Sequence, residues 1–160
     1  MQKGTIWFLR MVAVLLGLGV LALCAIVLPM LMIDLLDSRS FVQVVMYSII
    51  VGMYLAAIPF YIALFKVMKL LRYIDRGDAF TNRTVQSLKG IKWCGLWITF
   101  IYILMMPFIF IFGERDDAPG VIAIGMAVIF GSFVIAVFAS LLQKLLISAI
   151  DIKAENELTI

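Results

Sequence analysis

Apolar residues in this chain come in long unbroken blocks, with none of the short alternation expected of half-buried strands. No charged side chain falls in residues 11–33, 40–65, 93–113 or 118–143. Each block matches the roughly 20 apolar residues that a helix needs to cross a hydrocarbon layer about 30 Å thick. The pattern predicts an all-α integral membrane four-helix bundle in a single domain, 1–160, with spans at about 8–33, 40–65, 93–113 and 118–147. An elbow, 66–92, separates the middle spans, and a tail, 148–160, follows the last. Lys3 and Arg10 precede the first block as they would precede a signal sequence. The block is longer than the usual core of roughly 7–15 residues, and Leu28-Pro29-Met30 is no small-residue cleavage site, so it is read as a span.

Breaks in the pattern divide the helices further. Trp7 suits the inner membrane interface, and Pro29 is expected to bend the first span or interrupt its hydrogen bonding. The second span passes Gly52, Ala56, Ala57 and Pro59, then leaves the membrane carrying a cationic stripe of Lys66, Lys69 and Arg72 suited to lipid phosphates. Gly77 marks a helix stop in the left-handed conformation, and Thr81 or Asn82 is the expected cap of the next helix. Val85, Leu88 and Ile91 recur at helical spacing, which predicts a short amphipathic cytoplasmic helix before the third span, with Phe80 tucked beneath the bundle as a staple. In the fourth span Asp117 and Pro119 read as a start signal. Ala123, Ala127 and Gly131 form one row of small residues and Ser132, Ala136 and Ser140 another, both suited to close helix packing inside the bundle or across a homo-oligomer. No stop follows until about Asn156, so this helix should project beyond the membrane.

Charge orients the bundle. With the N-terminus inside, eleven Lys and Arg residues gather on the cytoplasmic side and only Arg39 and Arg115 face outward, which predicts that both termini are cytoplasmic. A composition of 65% hydrophobic and 14% charged residues, with a mean hydropathy of +1.15, excludes an ordinary soluble domain.

The residues that carry chemistry are scarce. There is no histidine, which removes the commonest general base and metal ligand. Cys24 and Cys94 lie at different depths and read as small core residues, and the ten methionines are scattered as packing. No carboxylate lies inside a span, whereas small four-span exporters depend on a membrane-embedded glutamate. No phosphate-binding loop, zinc-protease helix or serine elbow occurs, so the expectation is no enzymatic activity, no metal and no cofactor. Tyr47, Tyr54 and Tyr61, seven residues apart, share one face of the second helix, for hydrogen bonding between helices or placement at the interface, or for lining a ligand cavity.

Two stretches are more specific. The elbow reads Leu71-Arg72-Tyr73-Ile74-Asp75-Arg76-Gly77-Asp78-Ala79-Phe80-Thr81-Asn82, followed by Val85, Leu88 and Ile91, and the tail reads Ala149-Ile150-Asp151-Ile152-Lys153-Ala154-Glu155-Asn156-Glu157-Leu158-Thr159-Ile160. Together they resemble a bacterial family of short four-span membrane proteins catalogued as domain of unknown function 2975, although Ala154 replaces a glutamate common there. The resemblance implies a membrane partner for a small cytoplasmic helix-turn-helix transcription regulator, because such regulators are often encoded beside family members. Gly77, Asp78, Phe80, Thr81, Glu155, Asn156, Glu157 and Leu158 are then the candidate partner-binding residues. Membrane lipids are the other expected partner, and no direct contact with nucleic acid is expected. Two readings compete with a sensor or scaffold. Elbow and tail could pack on each other, acids against Arg83, Lys89 or Lys92, or the bundle could handle a small molecule or peptide, as immunity and efflux-type proteins do, with a site between the helices.

Overall fold

Long apolar segments have no water with which to bond their backbones, so each must satisfy its own N–H and C=O groups as a helix. A computed structural model describes residues 2–36 and 41–159, and it consists of helices and their connections. The first span is α1 (Gln2–Ala22), a π-helical turn (Leu23–Val27) and α2 (Leu28–Leu35). The others are α3 (Phe41–Asp75), α4 (Asn82–Arg115) and α5 (Pro119–Leu158). Four helices are long and apolar enough to cross a membrane. The expected positions of Asp37, Arg39 and Ser40 in the first loop, and of Ile160 in the tail, lie outside the described residues.

α4 packs extensively on both α3 and α5, whereas α1 packs on α3. Large apolar side chains also face outward, and small or hydroxylated residues join aliphatic ones inside. Phe130, Ile33, Trp97 and Phe138 stand exposed on the outer faces, while Thr84, Ser87, Thr99, Ser132, Ala136 and Ala139 are buried. Lipid tails are as apolar as leucine and give helices no hydrophobic reason to associate, so small residues that admit a close neighbour hold the interior.

Pro29 acts as expected, through a π turn. The N–H of Leu28 turns back to the carbonyl of Leu23, and Pro29 itself has no N–H to offer. Below it, Leu28, Leu35 and Ile50 form a buried cluster that joins the first span to α3. The Gln43 amide closes the end of α2 by donating to the Leu35 carbonyl at 3.0 Å.

Both described turns between helices stop the chain with a left-handed residue. Gly77, at φ +78°, donates to the Ile74 carbonyl at 3.2 Å while Asp78 donates to Tyr73 at 3.0 Å, which satisfies two carbonyls at the end of α3. Asp117 occupies the same position after α4 at φ +50°, where the Ala118 N–H reaches the Gly113 carbonyl at 2.9 Å. Asp117 therefore ends α4, and Ala118 is the residue that precedes α5. Glycine has no Cβ to resist this conformation and aspartate does. Asp117→Gly is expected to stabilise the protein by about 0.5–1 kcal/mol and Gly77→Val to destabilise it by about 1–2 kcal/mol, measured as midpoints of unfolding in mild detergent. Equal midpoints for Gly77→Val and the parent would refute the assignment.

As expected, the amphipathic segment leads directly into the third span: α4 runs unbroken from Asn82 to Arg115 and its first turns bury Thr84, Ser87, Leu88 and Ile91. One expectation about the fold needs correction. Phe80 is not tucked beneath the bundle; it is 52% exposed and faces the end of α5. The two small-residue rows of α5 also differ. Ser132 and Ala136 are buried and Ser140 half-buried, whereas Ala123 and Ala127 are exposed and a side chain at Gly131 would meet open space.

Candidate functional site

At the elbow end of the bundle, local hydrogen bonding builds a rigid corner. Thr81, in extended conformation, precedes α4 and receives the Thr84 N–H on its carbonyl at 3.1 Å. The hydroxyls of Thr81 and Thr84 both donate to the Asp78 carbonyl, at 3.0 and 3.3 Å, and so tie the turn after Gly77 to the first turn of the next helix. Thr84 was not among the sequence candidates. Its signal, a second hydroxyl three residues after the cap, was present in the chain.

This corner presents Phe80 to the last turns of α5. Phe80, Ala149, Ile152, Lys153, Asn156 and Glu157 line a groove of about 470 Å³. Among the candidates, Phe80, Asn156 and Glu157 thus come together, while Gly77, Asp78 and Thr81 shape the turn that carries Phe80. Glu155 and Leu158 lie off the groove, and Leu158 is 86% exposed. Among the described residues the tail acids form no ion pair with Arg83, Lys89 or Lys92, which corrects the expectation that such pairs close the bundle. From Asp151 to Thr159 every residue of α5 is exposed.

Inside the membrane the tyrosine ladder is a fastening. Tyr54 donates its hydroxyl to the Cys24 carbonyl at 2.7 Å, and Tyr61 donates to the Gly17 carbonyl at 2.9 Å. Cys24 lies in the π turn, where the N–H of Leu28 is engaged by Leu23 and the next residue, Pro29, has none. Tyr54 thereby satisfies a carbonyl that the proline left without a backbone partner. Tyr47 packs against the Leu28–Leu35–Ile50 cluster. Between α4 and α5 a second polar contact is buried: the Thr99 and Ser132 hydroxyls meet at 2.7 Å, one donating to the other, which in turn donates to a carbonyl of its own helix. Gly95 makes the approach feasible, since a Cβ there would lie 3.0 Å from the Ser132 carbonyl oxygen.

Four apolar helices that expose large hydrophobic side chains, bury small and hydroxylated ones and bond their few polar groups to one another define a multi-pass α-helical membrane protein. The chain belongs to the family described as protein of unknown function (DUF2975), whose family model matches residues 40–160. It is also similar to the uncharacterized membrane protein YoaS of Bacillus subtilis (strain 168), with 44% identity over 160 residues that cover the whole of both chains. No solved structure matches it.

Proposed function

We propose that this protein is a non-enzymatic sensor or scaffold of the bacterial inner membrane, with both termini in the cytoplasm, and that the elbow and the end of α5 together form a docking platform for a cytoplasmic partner. The observation that carries this reading is the groove that sets Phe80 beside a helix end exposed on all sides. A 20-residue span does not need the further turns after Lys144, and leaving Ile152 and Leu158 bare in water is unfavourable unless something covers them. Charge supports the same partner class. The rim on this side is basic, yet the last turns of α5 carry Asp151, Glu155 and Glu157 against a single Lys153. An acidic, partly apolar helix complements the basic DNA-binding face of a small helix-turn-helix regulator and would compete with DNA for it. The rival, a small-molecule or peptide handler with its site between the helices, has less support because the Tyr54 and Tyr61 hydroxyls are engaged by the first span.

Affinity capture from native membranes, with the intact chain and with residues 151–160 removed, tests the platform. The expected result is a small DNA-binding protein that is retained by the intact chain, lost on truncation and displaced by its own DNA site. Recovery of the same proteins by both chains would count against the platform. A reporter fused after the last residue tests the orientation separately, and activity on the outer side would overturn it.

A further inference from the structure

We propose that the gap between α1 and the rest of the bundle is a binding site for one acyl chain of an anionic phospholipid, with the headgroup held by cations at the elbow end. Two adjoining cavities of about 330 and 220 Å³ share Phe60 and Ile98 in their walls. Along the first span they run from Leu9 to Cys24, a rise of roughly 22 Å at about 1.5 Å per residue, which is over half the hydrocarbon thickness. The space exists because α1 packs on α3, fastened through Tyr54 and Tyr61, and leaves its other side facing α4 and α5 without filling the distance.

The walls select the ligand. In the larger cavity the only side-chain polar atom is the Ser132 hydroxyl, which is already bonded to Thr99. A polar ligand would find no partner there, and an apolar space of this kind does not hold water. A hydrocarbon chain loses nothing on entering. The smaller cavity adds only Cys24 and Tyr102, near mid-membrane. At the other end, three lining residues, Leu9, Leu71 and Ile91, are each followed in the chain by a cation: Arg10, Arg72 and Lys92. Arg10 and Lys92 are half-buried and Arg72 is exposed. An apolar channel with a cation next in the chain to a lining residue on each of three helices matches an anionic lipid that inserts one chain and leaves its phosphate at the rim. The site shares no lining residue with the groove at Phe80.

The test uses the purified full-length protein in phosphatidylcholine nanodiscs doped with phosphatidylglycerol that carries a diazirine in one acyl chain. Photolabelling is expected to concentrate on residues 9–16 and 60–71. It should fall about fivefold or more when Ala63→Phe fills the larger cavity, and again when Ala57→Leu fills the smaller one. A phosphatidylcholine probe with the same chain should label these residues several-fold less, and the combined Arg10→Gln, Arg72→Gln and Lys92→Gln protein should abolish that difference. Labelling spread evenly over the outer faces at Trp97, Phe130 and Phe138, unchanged by either filling variant, overturns the proposal. So does equal labelling by the two headgroups in the parent protein.

Discussion

Replacing Gly95 by leucine is expected to separate α4 from α5 and to cost roughly 2–3 kcal/mol. A Cβ at Gly95 would lie 3.0 Å from the backbone oxygen of Ser132 and 3.1 Å from the Cβ of Ala136. Neither atom can rotate away, so a longer side chain must push the helices apart. That movement also breaks the buried 2.7 Å contact between Thr99 and Ser132. At two other glycines the same substitution meets flexible side chains instead of backbone. At Gly52 the space is taken by the flexible Met105 side chain, and at Gly90 by the Lys66 side chain. Gly131→Leu is the natural control, because open space surrounds it, and its effect should lie within about 0.5 kcal/mol. Reversible unfolding in mixed detergent micelles measures both. Equal losses from Gly95→Leu and Gly131→Leu would mean that the row at Ala123, Ala127 and Gly131 is covered by a second copy of the chain.

Tyr54→Phe is the second large effect, expected at about 1–2 kcal/mol, near the upper end of interhelical hydrogen bonds in membranes. Removing the hydroxyl leaves the Cys24 carbonyl in a lipid environment with neither a backbone nor a side-chain donor. The cause lies five residues along the same helix, so the effect should depend on Pro29. Pro29→Ala restores an N–H and allows the π turn to relax into regular helix. In that background Tyr54→Phe should cost less than about 0.5 kcal/mol, which a double-mutant cycle reads as coupling. An undiminished cost with Pro29→Ala would mean that the tyrosine contributes by packing instead. Tyr61→Phe serves for comparison. Its acceptor, Gly17, lies in regular α-helix and does not depend on a proline, so its cost should be the same in both backgrounds.

These two sites show how differently features of the chain could be read. The spans were legible because absence of charge over some twenty residues has one physical outcome in a bilayer. Gly77 was legible because a glycine between a helical segment and a new cap has few other uses, and the structure places it at φ +78°. The tyrosine spacing correctly identified a shared face, and of its two readings the structure shows interhelical bonding for Tyr54 and Tyr61. That Tyr54 should meet Cys24 was not legible, since the acceptor is a backbone carbonyl whose availability arises only from the π turn. Phe80 was misplaced because a staple is a local motif, and its local partner was outcompeted by α5, which is distant in sequence. The two rows of small residues on α5 are indistinguishable by composition, and Gly95 on α4 decides which of them packs. For the candidate platform, the participating segments were identifiable from their unusual residues, but the groove that joins Phe80 to Asn156 and Glu157 requires two helix ends to converge.

By itself the amino-acid sequence determined what each segment could dissolve in and where a helix had to stop, since transfer of charge into lipid and the conformational freedom of glycine are properties of residues and their near neighbours. Only the tertiary structure decided which small-residue face met a neighbour, which carbonyl each tyrosine satisfied and that α1 stands off from α4 and α5 around an apolar space. Those outcomes depend on the distances between helices, set jointly by four elements, and no one segment carries them.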